Sequence, residues 1–386
     1  MPNKAASRLV LAKFSESLVT ETARSALQEV GGRVSCAFAF CSADYRAHLA
    51  DFLEILQVHG HIPMLVGCSG GGIISTGAEA ESISGFSLLM LHLPQTHLQP
   101  FSFSAATAPD WEDRGAWRRA AGNEDADAWF LLAHPMTVPL EQWLATWSEA
   151  FPGAPCIGGI ASGGDSGEEI FVFRDREPLD GGIALGFRGG VKINTVVSQG
   201  CRPIGEALPV TGAEQNIIQT LGSRPACQVL DDAFQSLSTK EKARARGNLF
   251  AGLAMTEYRD EFHRGDFLIR NILGADQSSG AVAVAALPRI GQTVQYQLRD
   301  ARAADDDLRH LAGLLAADGL KPFASLVFSC GGRGRALFGE ANHDAGVLAD
   351  IFTPHPSAGF FCNGEIGPVG GKNFVHGYTV SAALFS

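Results

Sequence analysis

The sequence predicts an α+β protein, built as a layered α/β sandwich with mixed and largely antiparallel sheets. Three observations lead to this prediction. Short apolar strands alternate with amphipathic helices, a mixture that is typical of packed helix and sheet layers. Many neighbouring strands have connections that are too short for a parallel crossover. A helix, a short strand and a glycine-rich turn also recur as a unit, which indicates internal duplication.

The elements of the first half follow from hydrophobic periodicity and from glycine or proline at their ends. We predict helices over residues 15–30, 44–60, 111–122 and 140–150. We predict strands over residues 33–40, 62–67, 83–93, 98–104, 127–133, 154–159, 169–173, 182–187 and 190–198. Glycine-rich turns follow two of these strands, at residues 68–72 and 161–164.

The second half continues in the same way. We predict helices over residues 226–237, 240–246, 303–319 and 342–352. We predict strands over residues 248–254, 266–269, 280–287, 293–298, 323–328 and 380–385. The helix at 303–319 is the clearest, since three aspartates in its first turn favour the positive end of the helix dipole. Two more glycine turns, at residues 330–333 and 362–365, bring the recurring turns to four.

A chain of 386 residues is longer than one typical domain. The stretch from 211 to 222 is polar and shows little periodicity. We therefore place a domain boundary there, with one domain over residues 1–222 and a second over 223–386.

Composition excludes several classes of function. The net charge of −11 argues against nucleic acid and anionic membranes as partners, because both require concentrated Lys and Arg. The longest apolar runs are too short to span a bilayer, and the N-terminus lacks the apolar core of a signal peptide. We expect a cytoplasmic protein whose eight scattered cysteines, none in a C-x-x-C pair, are free thiols.

Three common kinds of functional site are not supported by the sequence. The G-x-S-x-G pattern at residues 67–71 is followed by further glycines, whereas a nucleophile elbow requires a helix. No histidine or cysteine set has metal-ligand spacing, so we expect no metal site. The glycine-rich turn at residues 331–335 lacks the G-K-[ST] ending of a P-loop. We therefore expect no cofactor.

The two C-terminal turns are the most informative. Cys330-Gly-Gly-Arg333 and Cys362-Asn-Gly-Glu365 share one layout, namely a thiol, a spacer, a glycine and a charge. If the turns are structurally equivalent, Arg333 and Glu365 occupy equivalent positions of opposite sign. One interpretation is a salt bridge that ties the turns together. The other is a ligand site with a cation for a carboxylate and an anion for an amine, which would suit an amino acid.

The sequence resembles the FIST proteins, which carry a FIST N-terminal and a FIST C-terminal domain in tandem. The resemblance extends from about residue 33 to the end and rests on the following segments: 200–205, 210–211, 265–274, 299–300, 330–334, 359–365 and 376–379. It implies a sensory module that binds a small ligand, with amino acids proposed, and that is linked to signal transduction through a partner protein. It supplies no catalytic residues.

Three hypotheses remain at this point. The first is a small-ligand sensor without catalytic activity, whose candidate ligand-binding residues are Arg333, Glu365, Asn363, Cys330, Cys362, His376 and Arg202. The second is an enzyme of unknown reaction that uses Cys330 or Cys362 as a nucleophile. In that case Arg333 would lower the pKa of the thiol and His376 would act as the base. The third is a scaffold that acts only through protein partners.

Overall fold

The structure is a computed structural model, and it describes residues 2–109, 113–122, 125–164, 166–257, 259 and 261–386. The chain forms two compact units. The first unit contains residues 1–197, 308–375 and 379–386, and the second contains residues 198–307 and 376–378. Helices account for 27% of the residues and strands for 38%, in mixed and antiparallel sheets, which confirms the predicted α+β class.

The helices have the following bounds: α1 Glu16–Val30, α2 Leu49–Gly60, α3 Arg114–Ala120, α4 Leu140–Ala150, α5 Ala226–Gln235, α6 Thr239–Ala245, α7 Ala301–Ala317, α8 Gly334–Phe338 and α9 His343–Phe352. A 3₁₀ segment, Ala43–His48, precedes α2. The predicted helix at 111–122 corresponds to α3, and its first two residues lie outside the described part of the chain.

The strands in the first half are β1 Lys4–Val10, β2 Cys36–Cys41, β3 Leu65–Ser69, β4 Gly72–Ser75, β5 Ala78–Glu81, β6 Phe86–His92, β7 His97–Phe103, β8 Ala128–Ala133, β9 Cys156–Ile160, β10 Val172–Arg174, β11 Glu177–Leu179, β12 Gly182–Arg188 and β13 Ile193–Gln199. Those in the second half are β14 Cys201–Pro203, β15 Leu208–Glu214, β16 Ile217–Leu221, β17 Arg224–Pro225, β18 Leu249–Ala254, β19 Phe267–Asp276, β20 Ala281–Val284, β21 Thr293–Arg299, β22 Ala324–Cys330, β23 Ser357–Cys362, β24 Glu365–Val369, β25 Lys372–His376 and β26 Thr379–Phe385.

The first unit contains three six-stranded sheets of the same design. Sheet I has the order β1-β6-β2-β3-β10-β11, sheet II has β7-β12-β8-β9-β24-β25, and sheet III has β13-β26-β22-β23-β4-β5. At the centre of each sheet two strands run parallel, namely β2 with β3, β8 with β9, and β22 with β23. The strand order shows three structural repeats.

Each repeat contributes a hairpin to a neighbouring sheet. The hairpin β4–β5 follows the central strands of sheet I but pairs in sheet III. Likewise, β10–β11 follows sheet II and pairs in sheet I, and β24–β25 follows sheet III and pairs in sheet II. This cyclic exchange links the three repeats. Residues 198–307 of the second unit are inserted in the third repeat, between β13 and β22.

Burial on both faces of the central strands explains their apolar sequences. In β2, the side chains of Cys36, Phe38 and Phe40 enter a core that is shared by all three sheets. The alternate residues Ala37 and Ala39 pack against α1 and α2. Since successive side chains point to opposite faces of a strand, both sets must be apolar. Similarly, α3 and α4 cover sheet II, and α9 with the C-terminal part of α7 covers sheet III.

The second unit contains the fourth sheet. Its strands follow the order β14-β21-β15-β16-β20-β19-β18, and β18 also pairs with β21. Six antiparallel strands therefore form a closed ring, and α5 packs into its core. The polar stretch from 211 to 222, where we placed the domain boundary, forms most of the β15–β16 hairpin of this ring. The boundary at residue 222 stays a prediction.

Candidate ligand-binding cluster

The three repeats bring their equivalent turns together. We call residues 69–72, 161–164 and 362–365 the repeat turns. The backbone N–H of Ser162 donates to Ser69 O at 3.1 Å, and that of Gly71 donates to Phe361 O at 3.3 Å. The side-chain oxygen of Ser162 accepts from Gly71 N at 2.9 Å and donates to Phe361 O. Gly163 has a φ of +82° and lies so close to Gly70 that a Cβ would be 2.6 Å from its oxygen, so only glycine fits there.

The fourth glycine turn, at residues 330–333, is of a different kind. It follows β22 and leads into α8, whereas the repeat turns at 69–72 and 362–365 lead into hairpin strands. The predicted equivalence of Arg333 and Glu365 is therefore wrong. The two turns are instead neighbours, because Cys330 and Cys362 are paired in register at the ends of parallel strands. The N–H of Gly331 donates to Cys362 O at 3.1 Å and joins the turns.

Arg333 is completely buried and forms a two-fold hydrogen bond with Asp344. Its Nε donates to Oδ2 at 2.7 Å and its Nη2 donates to Oδ1 at 2.8 Å. The guanidinium carbon also lies 5.3 Å from the ring centre of Phe338. Among the described residues, Nη1 has no hydrogen-bond partner, although it is buried. Such a buried donor is costly to leave without a partner.

The Arg333–Asp344 pair is held in its charged form. Burial alone would lower the pKa of Arg333, but the Asp344 carboxylate raises it above its ordinary value. Burial would likewise raise the pKa of Asp344, but the Arg333 charge and its hydrogen bonds hold that pKa well below the usual range. Ser329 Oγ donates to Asp344 Oδ2 at 2.8 Å, and His343 Nδ1 lies 3.0 Å from Oδ1. The salt-bridge partner of Arg333 is therefore Asp344.

Glu365 is buried next to the Cys362 thiol. Its Oε1 accepts from Cys362 Sγ at 3.4 Å and its Oε2 accepts from Thr379 N at 3.0 Å. The Cys330 thiol also hydrogen-bonds this carboxyl group. Burial raises the pKa of Glu365 to about 8, although these hydrogen bonds and the Arg333 charge act in the opposite direction. The group therefore titrates near neutral pH rather than in the ordinary acidic range.

A second buried carboxyl group comes from the exchanged hairpin. Glu79, in β5, accepts from Ala345 N at 2.8 Å through its Oε1, at the start of α9. Its Oε2 is buried and has no partner among the described residues. Burial, followed by the negative charge of Asp344, raises the pKa of Glu79 to about 7. Sequence reasoning missed both Glu79 and Asp344, because neither lies in a glycine turn.

The structure brings five of the seven predicted residues together. Arg333, Glu365, Cys330 and Cys362 form the cluster described above. Asn363 is exposed in the same repeat turn, where its Nδ2 donates to Ala161 O at 3.4 Å.

The other two candidates belong to the second unit. Arg202 forms ion pairs there with Glu241 and with Asp300, the latter at 3.7 Å. His376 is buried at the end of β25.

The expectation of an activated thiol is wrong for Cys362. Burial, followed by the charge of Glu365, raises its pKa well above the ordinary value of 9.0. The thiolate is the nucleophilic form, so Cys362 can react as a nucleophile only when a base removes its proton. Within the described residues, no group of three or more His, Cys, Asp or Glu side chains is arranged to hold a metal ion.

A cleft of about 750 Å³ lies on the second unit. Small side chains such as Ala281 and Ala283 line it. Its one carboxylate, Asp276, accepts hydrogen bonds from the adjacent Ser278 and Ser279. The cleft therefore presents less recognition chemistry than the buried cluster of the first unit.

Fold and site together define the class, an α+β protein whose repeat-built unit carries a buried charged cluster. The FIST N domain model matches residues 35–224 and the FIST C domain model matches residues 226–368. The chain therefore belongs to the FIST family. FIST domains are generally associated with signal transduction and ligand sensing.

The chain is also similar to mycobacterial proteins. One, an uncharacterised protein of Mycobacterium tuberculosis, is 36% identical over 368 residues, which cover 95% of each chain. Another, an uncharacterised protein of Mycobacterium bovis, is 34% identical over 368 residues, which cover 95% of this chain and 94% of the relative. Among the described residues, no helix has the length and apolar character that a membrane span requires.

Proposed function

We propose that this protein is a cytoplasmic sensor that binds a small molecule with a carboxylate and an amine, such as an amino acid, and signals through a partner protein. The observation that carries the proposal is the buried Nη1 of Arg333, which lacks a hydrogen-bond partner among the described residues. The Nη1 of a charged guanidinium donates a charge-assisted hydrogen bond to a carboxylate oxygen, and a guanidinium that Asp344 holds in place is preorganised for it.

Glu365 is the proposed partner of the ligand amine. With a pKa of about 8 it is poised near neutral pH. A ligand ammonium group would favour the ionised carboxylate and replace part of the hydration that burial removes. Cys330, partly exposed at the end of β22, and Asn363, exposed in the turn after β23, carry the solvent-accessible side chains of the two turns. This gives a ligand an approach from the two turns.

A thermal-shift screen with triplets of compounds tests the proposal. Each triplet contains an amino acid, the amine that lacks its carboxylate, and the acid that lacks its amine. At a concentration of about 100 times Kd, a ligand stabilises the folded protein by about 2.7 kcal/mol. For a unit of this size that raises Tm by roughly 5 °C. Only the complete amino acid of the responding triplet should give the full shift.

Matched variants connect the shift to the cluster. Arg333→Lys retains the charge but loses the planar fork, so it should abolish the ligand-induced shift. Arg335→Lys changes an exposed arginine of the same segment and should respond like the wild type. If the shift survives in the Arg333→Lys protein, the ligand does not bind to this guanidinium. If no triplet changes Tm, the amino acid assignment is refuted.

A further inference from the structure

At the ends of its two central parallel strands the third repeat carries two thiols, whereas the first repeat carries one and the second carries none at these positions. Cys330 and Cys362 are direct neighbours at the ends of β22 and β23. The corresponding pair in the first repeat is Cys41 and Ser69, and in the second repeat it is residues 133 and 160, an alanine and an isoleucine. The dithiol is therefore a feature of one repeat and not a requirement of the shared fold.

The pair has the geometry of a disulfide site. In-register residues on neighbouring parallel strands lie about 5 Å apart and point to the same face of the sheet. Disulfides join Cα atoms that are roughly 4.4–6.8 Å apart. Cys362 and Phe328 lie in the same inner core, and Cys330 follows Phe328 by two residues, so both thiols are on the inner face.

Two further observations concern the solvent exposure of the cysteine pair and the group that can accept a thiol proton. Of the eight cysteines, all within the described residues, Cys330 is the one that is partly exposed and the other seven are buried. The Cys362 thiol donates to Glu365 Oε1 at 3.4 Å, and the Cys330 thiol shares the same carboxyl group. A single carboxylate is thus in contact with both sulfur atoms.

We propose that Cys330 and Cys362 form a reversible disulfide when the protein reacts with a hydroperoxide. In the first step the sulfur of Cys330 attacks one peroxide oxygen and the O–O bond breaks. The thiol proton passes to the other oxygen, which leaves as water or an alcohol, and Cys330 becomes a sulfenic acid. In the second step the ionised form of Glu365 takes the proton of Cys362, and the sulfur of Cys362 attacks that of Cys330. The S–O bond breaks and the hydroxide takes this proton to leave as water. Both sulfur atoms are oxidised by one electron and the peroxide is reduced by two.

Peptide mapping of the full-length reduced protein tests the inference. Hydrogen peroxide is added in small excess, the remaining thiols are alkylated, and the protein is digested with trypsin. Cleavage at Arg333 and Arg335 places the two cysteines on different peptides. We expect one cross-linked pair that dithiothreitol separates, while Cys41 remains a free thiol. If Cys330 instead accumulates as sulfinic or sulfonic acid without a cross-link, the proposal is refuted.

Two variants separate the steps. In Cys362→Ala, the sulfenic acid on Cys330 should persist and be trapped by dimedone. In Glu365→Gln, conversion of the sulfenic acid to the disulfide should slow by at least about 10-fold more than formation of the sulfenic acid does, because the acceptor of the Cys362 proton is absent. An equal effect on both steps would show a merely structural role for Glu365. Any influence on ligand binding rests on the proposed function, whereas the disulfide is detected without a ligand, so the two proposals can fail separately.

Discussion

Replacement of Glu365 by glutamine should remove most of the pH dependence of stability in the first unit. Glutamine has the shape of the protonated carboxyl group and can still accept from Thr379 N. It cannot ionise, so the variant never places a negative charge at this buried position. The variant should therefore match the wild type at low pH and exceed it at high pH.

The magnitude follows from the two pKa values. The pKa of Glu365 is about 8 in the folded protein, against an ordinary value of 4.5, because burial disfavours the charged form. The folded state thus binds the proton more tightly than the unfolded chain, and this stabilisation is full below pH 4.5 and is lost as the pH rises through 8. Between pH 6 and 9 the loss is roughly 3 kcal/mol. Glu79, with a pKa of about 7, remains in the variant and contributes roughly 1–2 kcal/mol over the same range.

Urea denaturation followed by tryptophan fluorescence is the appropriate assay. All five tryptophans lie between residues 111 and 147, in the sequence of the first unit, so their signal reports the unit that contains Glu365. The free energy of unfolding is measured from pH 6 to 9 for the wild type, for Glu365→Gln and for Glu340→Gln, an exposed control. The reasoning is refuted if the Glu365→Gln protein loses as much stability over this range as the wild type.

Two further predictions concern stability near neutral pH. Arg333→Met and Asp344→Asn should each destabilise the first unit by about 3–5 kcal/mol, since each leaves a buried charge without its partner, whereas exposed Arg335→Met should have little effect. The double variant should lose less than the sum of the two, and strict additivity in urea denaturation would contradict the pairing. Ser162→Ala should destabilise by about 1–3 kcal/mol, because its hydroxyl joins the first and third repeat turns. Exposed Ser166→Ala is its control, and equal midpoints for the two variants would be the contrary result.

Hydrophobic periodicity located the helices of this fold other than the five-residue α8, and several of its strands. The predicted helix at 342–352 is α9 within one residue, and the predicted strand at 127–133 is β8 within one residue. These segments bury continuous apolar faces, and such faces leave a clear pattern in the sequence. The hairpin β4–β5 left no such pattern, because Ala78–Glu81 alternates alanine with glutamate. Its glutamates are used in contacts with α8 and α9, more than 250 residues away.

The partner of Arg333 could not be read from the turn layout. The sequence hypothesis paired Arg333 with Glu365, since both follow a cysteine, a spacer and a glycine. The structure pairs Arg333 with Asp344, because α8 turns the chain back and places the start of α9 beside the guanidinium. The partner of a buried charge depends on such a reversal of the chain direction. The reversal could not be predicted here, because a helix of five residues is too short to show hydrophobic periodicity. The sequence therefore indicated Arg333, Glu365 and the two cysteines, but neither Asp344 and Glu79 nor the pairing of the charges.

Comparison of the three repeats supports the proposed binding site. Because the fold is repeated three times, comparison of the equivalent turns shows which residues the backbone conformation requires. The first repeat meets those demands with Ser69 followed by three glycines, and no charge is buried there. The third repeat places Cys362 and Glu365 at the corresponding positions and adds Arg333 beside them. Burial of these groups is unfavourable without compensation, and the equivalent turn folds without them. Their presence in one repeat alone is therefore explained better by chemistry at this turn than by the stability of the fold.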